Sequence, residues 1–287
     1  YNPPPVRLRK LSFATAVICF LSPALSGAAP ALRAEERPVL RAVRVDQGPH
    51  VDGRLDDNVW SQAVPFAAFR QAEPKPASPP SERTEARILY DAENLYIGVL
   101  CADSEPARIS ANTMAHDADD EGENEDNIKV LLDPFQDKRN AYIFFVNPRG
   151  ARSEGLAFGE HPSLDWDGIW DAKAQILADG WNVEIRIPFK TISFNARLAT
   201  WGINIERYIA RKQEVIRASG VSLDSFFFNP GEAAPLEGIA GVKQGSGFTV
   251  RPYGILSASR IPDGESAADG EVDGGLFLAV EIDLDVP

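Results

Sequence analysis

The clearest alternation of apolar and polar positions lies between Asp126 and Gly150. Ile128, Val130 and Leu132 alternate with Lys129, Leu131 and Asp133, the period of two that marks a half-buried strand. A polar stretch from Pro134 to Asn140 follows and reads as a chain reversal. Beyond it Tyr142, Phe144 and Val146 alternate with Ala141, Ile143 and Phe145, aromatic or apolar on both faces. Such a strand is predicted to be buried on both sides, at the centre of a sandwich.

The same period recurs on either side. Thr84–Tyr90 and Leu95–Ala102 are predicted strands joined by Asp91-Ala92-Glu93-Asn94, and Asp171–Leu177 and Trp181–Pro188 are joined across Asp179-Gly180. In the second pair Trp181, Val183, Ile185 and Ile187 share a face opposite Asn182, Glu184 and Arg186. Gly155–Gly159 reads as a short strand, His161–Trp170 as a loop and Trp201–Arg211 as a further strand. Upstream, Asp52-Gly53 is a turn signal, and Asp56 is placed to cap a short helix that carries Leu55, Val59 and Trp60 as core residues. Ala72–Glu82 is rich in Pro and reads as an irregular loop. No long amphipathic helix is indicated, so the expected fold is all-β: a jelly-roll-like, mostly antiparallel β-sandwich over residues 35–220. The Gly- and Pro-rich stretch 221–247 reads as a linker. Residues 248–287 then read as two strands, and in the second Leu276, Leu278, Val280, Ile282 and Leu284 alternate with a mostly polar set. That pattern suits the first strands of an outer-membrane β-barrel, or a hairpin packed on the sandwich.

Charge and the N-terminal segment narrow the partners. Arg7, Arg9 and Lys10 precede the apolar run Leu11–Leu21 and the small residues 22–34, the order of a secretory signal peptide, residues 1–34. Its removal takes away four basic residues and no acid, so the net charge of −13 becomes −17. A surface that acidic repels phosphate backbones, and no nucleic acid partner is expected. Cys101 is then the one cysteine of the mature chain, and its apolar neighbours predict burial.

The run Val51-Asp52-Gly53-Arg54-Leu55-Asp56 with Trp60 and Ala63 resembles the opening signature of the family 9 carbohydrate-binding module. Leu89-Tyr90-Asp91 with Leu95-Tyr96-Ile97, then 126–150, Asp179-Gly180-Trp181 through Phe189 and Trp201-Gly202-Ile203-Asn204 are similar to its later blocks, over about residues 45–215. Asp133-Pro134-Phe135, Arg139 to Tyr142 and Asn147-Pro148 resemble a subgroup in which this domain precedes an outer-membrane barrel of unknown function. Arg251-Pro252-Tyr253-Gly254 and Asp273-Gly274-Gly275-Leu276 are similar to the start of that barrel. The resemblance implies a β-sandwich, carbohydrate binding, structural calcium, a place in the periplasm or outer membrane, and an association with carbohydrate catabolism.

Saccharide recognition needs aromatic faces for the sugar C–H groups and planar polar side chains for its hydroxyls. Trp166 and Trp170, in an acidic loop, are the expected stacking residues, with packing as the plainer alternative; Asn147 and Arg149 are the expected hydroxyl partners, or serve to finish a hairpin. Calcium would draw on the acidic run through Asp117, Asp119, Asp120 and Glu125, although such runs are commonly just solvated. No catalytic residue is singled out: the three histidines lack metal-helix spacing, and there is no nucleophile elbow or matched carboxylate pair. The expected function is therefore a carbohydrate-binding domain of an envelope protein. A glycoside hydrolase, or an accessory part of one, is the rival from another class, and a sugar-free plug or partner domain for the barrel is the third reading.

Overall fold

The computed structural model describes residues 38–114, 124–159, 161–222, 224–244, 248–260 and 272–284, the last two segments by their backbone course. The predicted signal peptide lies outside the described residues. The strands are β1 (Leu40–Arg44), β2 (Arg70–Glu73), β3 (Thr84–Tyr90), β4 (Asn94–Ala102), β5 (Asn127–Asp133), β6 (Asn140–Val146) and β7 (Arg152–Phe158). They continue as β8 (His161–Ser163), β9 (Asp171–Leu177), β10 (Gly180–Pro188), β11 (Thr200–Ile209), β12 (Glu214–Arg217), β13 (Ala234–Glu237), β14 (Phe248–Arg260) and β15 (Val272–Leu284). Among the described residues the helices are short 3-10 turns.

Two sheets share β1. One runs β8-β7-β6-β5-β11-β13-β1, with β12 and β2 extending it beside β11; the other runs β1-β3-β4-β10-β9. Leu40 and Arg41 pair with β13, whereas Ala42 to Arg44 pair with β3, so β1 passes from one sheet into the other. Both β1 pairings are parallel and the remaining ladders are antiparallel. Inward residues of both sheets form one core: Ile97, Val99, Val183 and Ile185 from one side meet Val130, Phe144, Ile203 and Ile205 from the other. Each such side chain contributes about 1.5–3 kcal/mol on burial. Cys101 is in this core, where burial pushes its thiol up to about 12, so it is an inert packing residue.

The outward faces are covered in part by chain segments. Trp60, Val45, Ala63, Leu89 and Tyr96 form a second cluster on the β3–β4–β10 face. Gly98 makes that contact possible, because a Cβ there would meet Leu55 Cδ2 at 2.6 Å and the Trp60 ring at 2.9 Å. On the β5–β6–β7 face, Phe227 and Phe228 lie over Leu131, Ala141, Ile143, Phe145 and Ala157. The two-sided burial expected of β6 is thus observed, with its second face covered by a chain segment rather than by another sheet.

Three expectations are corrected. The stretch 221–247 is no free linker: β13 is inserted between β11 and β1, and Phe227, Ile239 and Val242 are buried. Its Gly and Pro residues set tight turns between short packed pieces. The turn before Trp60 is a 3-10 helix, Asn58–Gln62, preceded by Asp57 rather than Asp56, and Asp57 accepts instead from the His50 amide at 2.8 Å. The loop 72–82 begins inside a strand, since β2 extends to Glu73 and pairs with β12. β14 and β15 form a continuous 13-residue antiparallel ladder, from Phe248 with Leu284 to Arg260 with Val272.

Candidate binding site

The residues expected to bind sugar fall into two places. Residues 164–170 lead from β8, the edge strand of one sheet, to β9, the edge strand of the other. The two tryptophans fill the seam between these edges. Trp170 is 4% exposed, edge-on to Phe144 at 5.0 Å, with the Arg152 guanidinium 5.6 Å from its ring. Trp166 is half-buried against Tyr142 at 4.9 Å. Trp170 therefore presents no open face to a pyranose, and the seam packs like an interior rather than a stacking platform.

Asn147 and Arg149 lie at the end of β6. Asn147 is buried and its amide is fully engaged: Nδ2 donates to Glu125 Oε1 and to the Thr113 carbonyl, each at 2.8 Å, and Oδ1 accepts from Arg149 N and Ala151 N. Arg149 extends over the Met114 sulfur at 3.8 Å. Asp117, Asp119 and Asp120 lie outside the described residues. Glu125, the remaining expected calcium ligand, is held by hydrogen-bond donors: its oxygens accept from Asn112 N (2.5 Å), Thr113 N (3.0 Å) and Asn147 Nδ2 (2.8 Å). Burial acts against this charge, yet these donors outweigh it and hold the carboxyl below its ordinary value. Among the described residues no group of three His, Cys, Asp or Glu side chains is placed to hold a metal ion.

The strongest polar arrangement lies on the outward face of the same strands, and pattern reading within single strands missed it. Register aligns Arg217 (β12), Glu206 (β11), Lys129 (β5), Phe145 (β6) and Ser153 (β7) in one row across five strands. Lys129 Nζ stands 3.2 Å from Glu206 Oε1, and Arg217 Nε donates to Glu206 Oε2 at 2.6 Å. These side chains are only 14%, 4% and 10% exposed, so three charges have been withdrawn from water on a sheet face. The Lys129 ammonium also lies 5.8 Å from the ring centres of Phe145 and Phe228, within cation–π range. Arg217 Nη1 reaches the carbonyls of Gly220 and Ser225, and Asn204 exchanges two hydrogen bonds with the Ser219 backbone. Together they pin the 218–225 loop, which delivers Phe226, half exposed, beside Phe228 at 6.0 Å. Tyr208 and Asn127 pair in the adjacent row, and the buried Asn147–Glu125 knot closes that end.

This is a shelf with a fixed array of charge and planar polar groups, an exposed aromatic at its rim and a rigid sheet beneath. Lys129 can donate to a hydroxyl, Ser153 can donate or accept, and Phe226 offers an apolar face. Buried ion pairs are poor stabilisers compared with apolar packing, so this row is not explained by stability alone.

The fold is that of a β-sandwich module. The chain belongs to the carbohydrate family 9 binding domain-like family, whose model matches residues 51–222. A family 9 carbohydrate-binding module from Caldicellulosiruptor kristjanssonii, solved with cellotriose, shares the fold at a TM-score of 0.50 and 15% identity, over 73% of this chain and 95% of that one. A Bacteroides uniformis protein proposed to bind carbohydrate aligns with a TM-score of 0.55 and 12% identity, over 69% and 98%. No curated protein matches the sequence.

Proposed function

We propose that this protein is a carbohydrate-binding module that holds a saccharide on the β12–β11–β5–β6–β7 shelf without cleaving it. The observation that carries the reading is the cross-strand row Arg217–Glu206–Lys129–Phe145–Ser153, together with membership of the family. A fixed carboxylate and two cations supply acceptors and donors for vicinal hydroxyls, and Phe226 and Phe228 supply the apolar contact. The cellotriose in the Caldicellulosiruptor module favours a neutral β-linked glycan as the first ligand to try.

A location in the cell envelope and a link to polysaccharide use belong to the same proposal. They rest on the basic–apolar–small order of residues 7–34 and on the β14–β15 ladder, whose 13-residue strands exceed the roughly 9–11 residues that cross a bilayer as a barrel strand. Calcium bound by the acidic run through Asp117, Asp119, Asp120 and Glu125 belongs to the same proposal.

Calorimetric titration of the full chain with neutral mono- and oligosaccharides, with and without calcium, tests the reading. Saturable binding that weakens at least tenfold in Lys129→Ala is expected. Binding untouched by that change would move the site off the shelf, and release of reducing ends from a polysaccharide panel would instead establish a hydrolase.

A further inference from the structure

The opposite face of the sandwich carries a second arrangement that family membership does not explain. On the β3–β4–β10–β9 sheet, the row Arg87–Gly98–Glu184–Lys173 is crossed by the segment that carries Trp60. Glu184 fixes that crossing by accepting from Asp52 N, Gly53 N and Trp60 Nε1, each at 2.8 Å. The next row, Glu85–Leu100–Asn182–Gln175, is left uncovered. The result is a cavity of about 350 Å³, floored by Glu85, Leu100 and Asn182 and walled by Arg54–Asp56 on one side. The wall is held in place by Arg54 Nε, which donates to Gln175 Oε1 at 2.7 Å.

The polar groups of this cavity are unusually unspent. Asn182 is 8% exposed and stands on the floor of the cavity. Arg87 Nε is buried without a hydrogen-bond acceptor, and the guanidinium meets only Glu85, at 4.0 Å. A buried guanidinium N–H left without an acceptor costs free energy unless something that enters the cavity accepts from it. Leu100 and Leu177 give the space an apolar patch, and a volume of this size suits one or two sugar rings. Arg54 and Arg87 balance Asp56 and Glu85, so the lining as a whole neither selects nor repels a net charge.

We infer that this cavity is a second binding site, for a neutral pyranoside, on the face of the module opposite the shelf. The class of ligand rests on the carbohydrate-binding reading; the site itself rests on the cavity and on Arg87 Nε, buried there without an acceptor. Hydroxyls of the sugar accept from Arg87 and from Asn182 Nδ2 and donate to Glu85 and Asn182 Oδ1, while a C–H face lies on the leucines. Two sites on opposite faces let one module bridge neighbouring glycan chains, which raises avidity without a new domain.

The test is calorimetric titration of the full chain with glucose and cellotriose, and with glucuronate as the charged control. Two sites per chain are expected, falling to one in Asn182→Leu and in Arg87→Met, each with an unchanged melting transition; Lys129→Ala weakens the other site about tenfold. Arg87 is partly exposed, so its variant keeps the test open if Asn182→Leu fails to fold. A single site that both cavity variants leave intact would overturn the inference while sparing the shelf. A site lost in Asn182→Leu but indifferent to Lys129→Ala would uphold the cavity and overturn the shelf. Silence toward both neutral sugars, or binding of glucuronate alone, would also overturn it.

Discussion

Glu184 and Glu206 occupy equivalent places on the two sheets, each outward-facing on an interior strand and each nearly sealed from water. Their partners differ in kind. Glu184 is met by two backbone amides and an indole, all from the segment around Val51–Trp60. Glu206 is met by two cationic side chains, beside aromatic rings, at the open edge of its cover. A carboxylate capped by neutral N–H donors fastens a segment in place and leaves no group over. One held between Lys129 and Arg217 keeps a surplus of donors beside it. On the proposed reading, that difference separates architecture from recognition on surfaces that look alike in composition.

The largest effect should come from breaking the architectural side. Glu184→Ala strands two buried donors and one part-buried donor and loosens the Trp60 cover, and should cost about 3–4 kcal/mol in urea unfolding. Glycan affinity on the far shelf should change less than twofold in the folded protein. A loss of affinity larger than the loss of stability would show that the two faces are coupled.

Next comes a third carboxylate, Glu82, which has cationic partners like Glu206 but no aromatic neighbour. It accepts from Lys212 Nζ, Arg211 Nη2 and Ser104 Oγ. Burial acts to raise its pKa, but these donors together hold it down at about 2, from an ordinary 4.5. A depressed folded value means that its contribution is present above pH 4.5 and is lost as pH falls toward 2. The linked loss is about 3 kcal/mol. Glu184 has the opposite sign, because burial raises its carboxyl despite the Trp60, Asp52 and Gly53 donors. Its contribution is fullest at low pH and is lost as pH rises through its folded value. Glu82→Gln should therefore flatten the acid limb of a stability–pH curve, and an unchanged limb would remove Glu82 as its cause. Smaller again, Trp60→Phe keeps the packing but deletes one donor to Glu184, and should lower the unfolding free energy by about 1–2 kcal/mol.

These contrasts also mark what the sequence could and could not disclose. Period-two alternation locates β5, β6 and β10, because which face a residue takes is a local property of the strand. The Val51–Trp60 signature is visible as a run because its residues act together on one distant glutamate. β13 escapes, since four residues that include Pro235 carry no readable period and gain their place only by pairing with β11 and β1. The shelf escapes for a related reason. Lys129, Phe145, Ser153, Glu206 and Arg217 contribute one residue per strand, and only inter-strand register puts them in a row. Lys129 alone reads as the solvent side of a half-buried strand. Trp170 shows the converse: a loop address suggests exposure, but a loop that closes a sandwich edge is a place where a large ring fills the seam, whereas Trp166 stays partly open.

Lys129→Ala gives the smallest energetic effect and the sharpest one. The change removes an ammonium that contacts Glu206 and two rings but pins no backbone segment, since Arg217 and Asn204 tie down the loop at Ser219, Gly220 and Ser225. Glu206 keeps its 2.6 Å bond from Arg217, so no buried charge is left bare and the fold should lose little. A sugar on the shelf, by contrast, loses the one cation with donors to spare. Affinity should fall about tenfold, which corresponds to about 1.4 kcal/mol. Arg217→Ala is the control that separates the roles: it frees the loop that carries Phe226 and should lower stability and affinity together. If Lys129→Ala instead destabilised the protein as much as Arg217→Ala does, the row would be a brace like Glu184, and the contrast between the two faces would collapse.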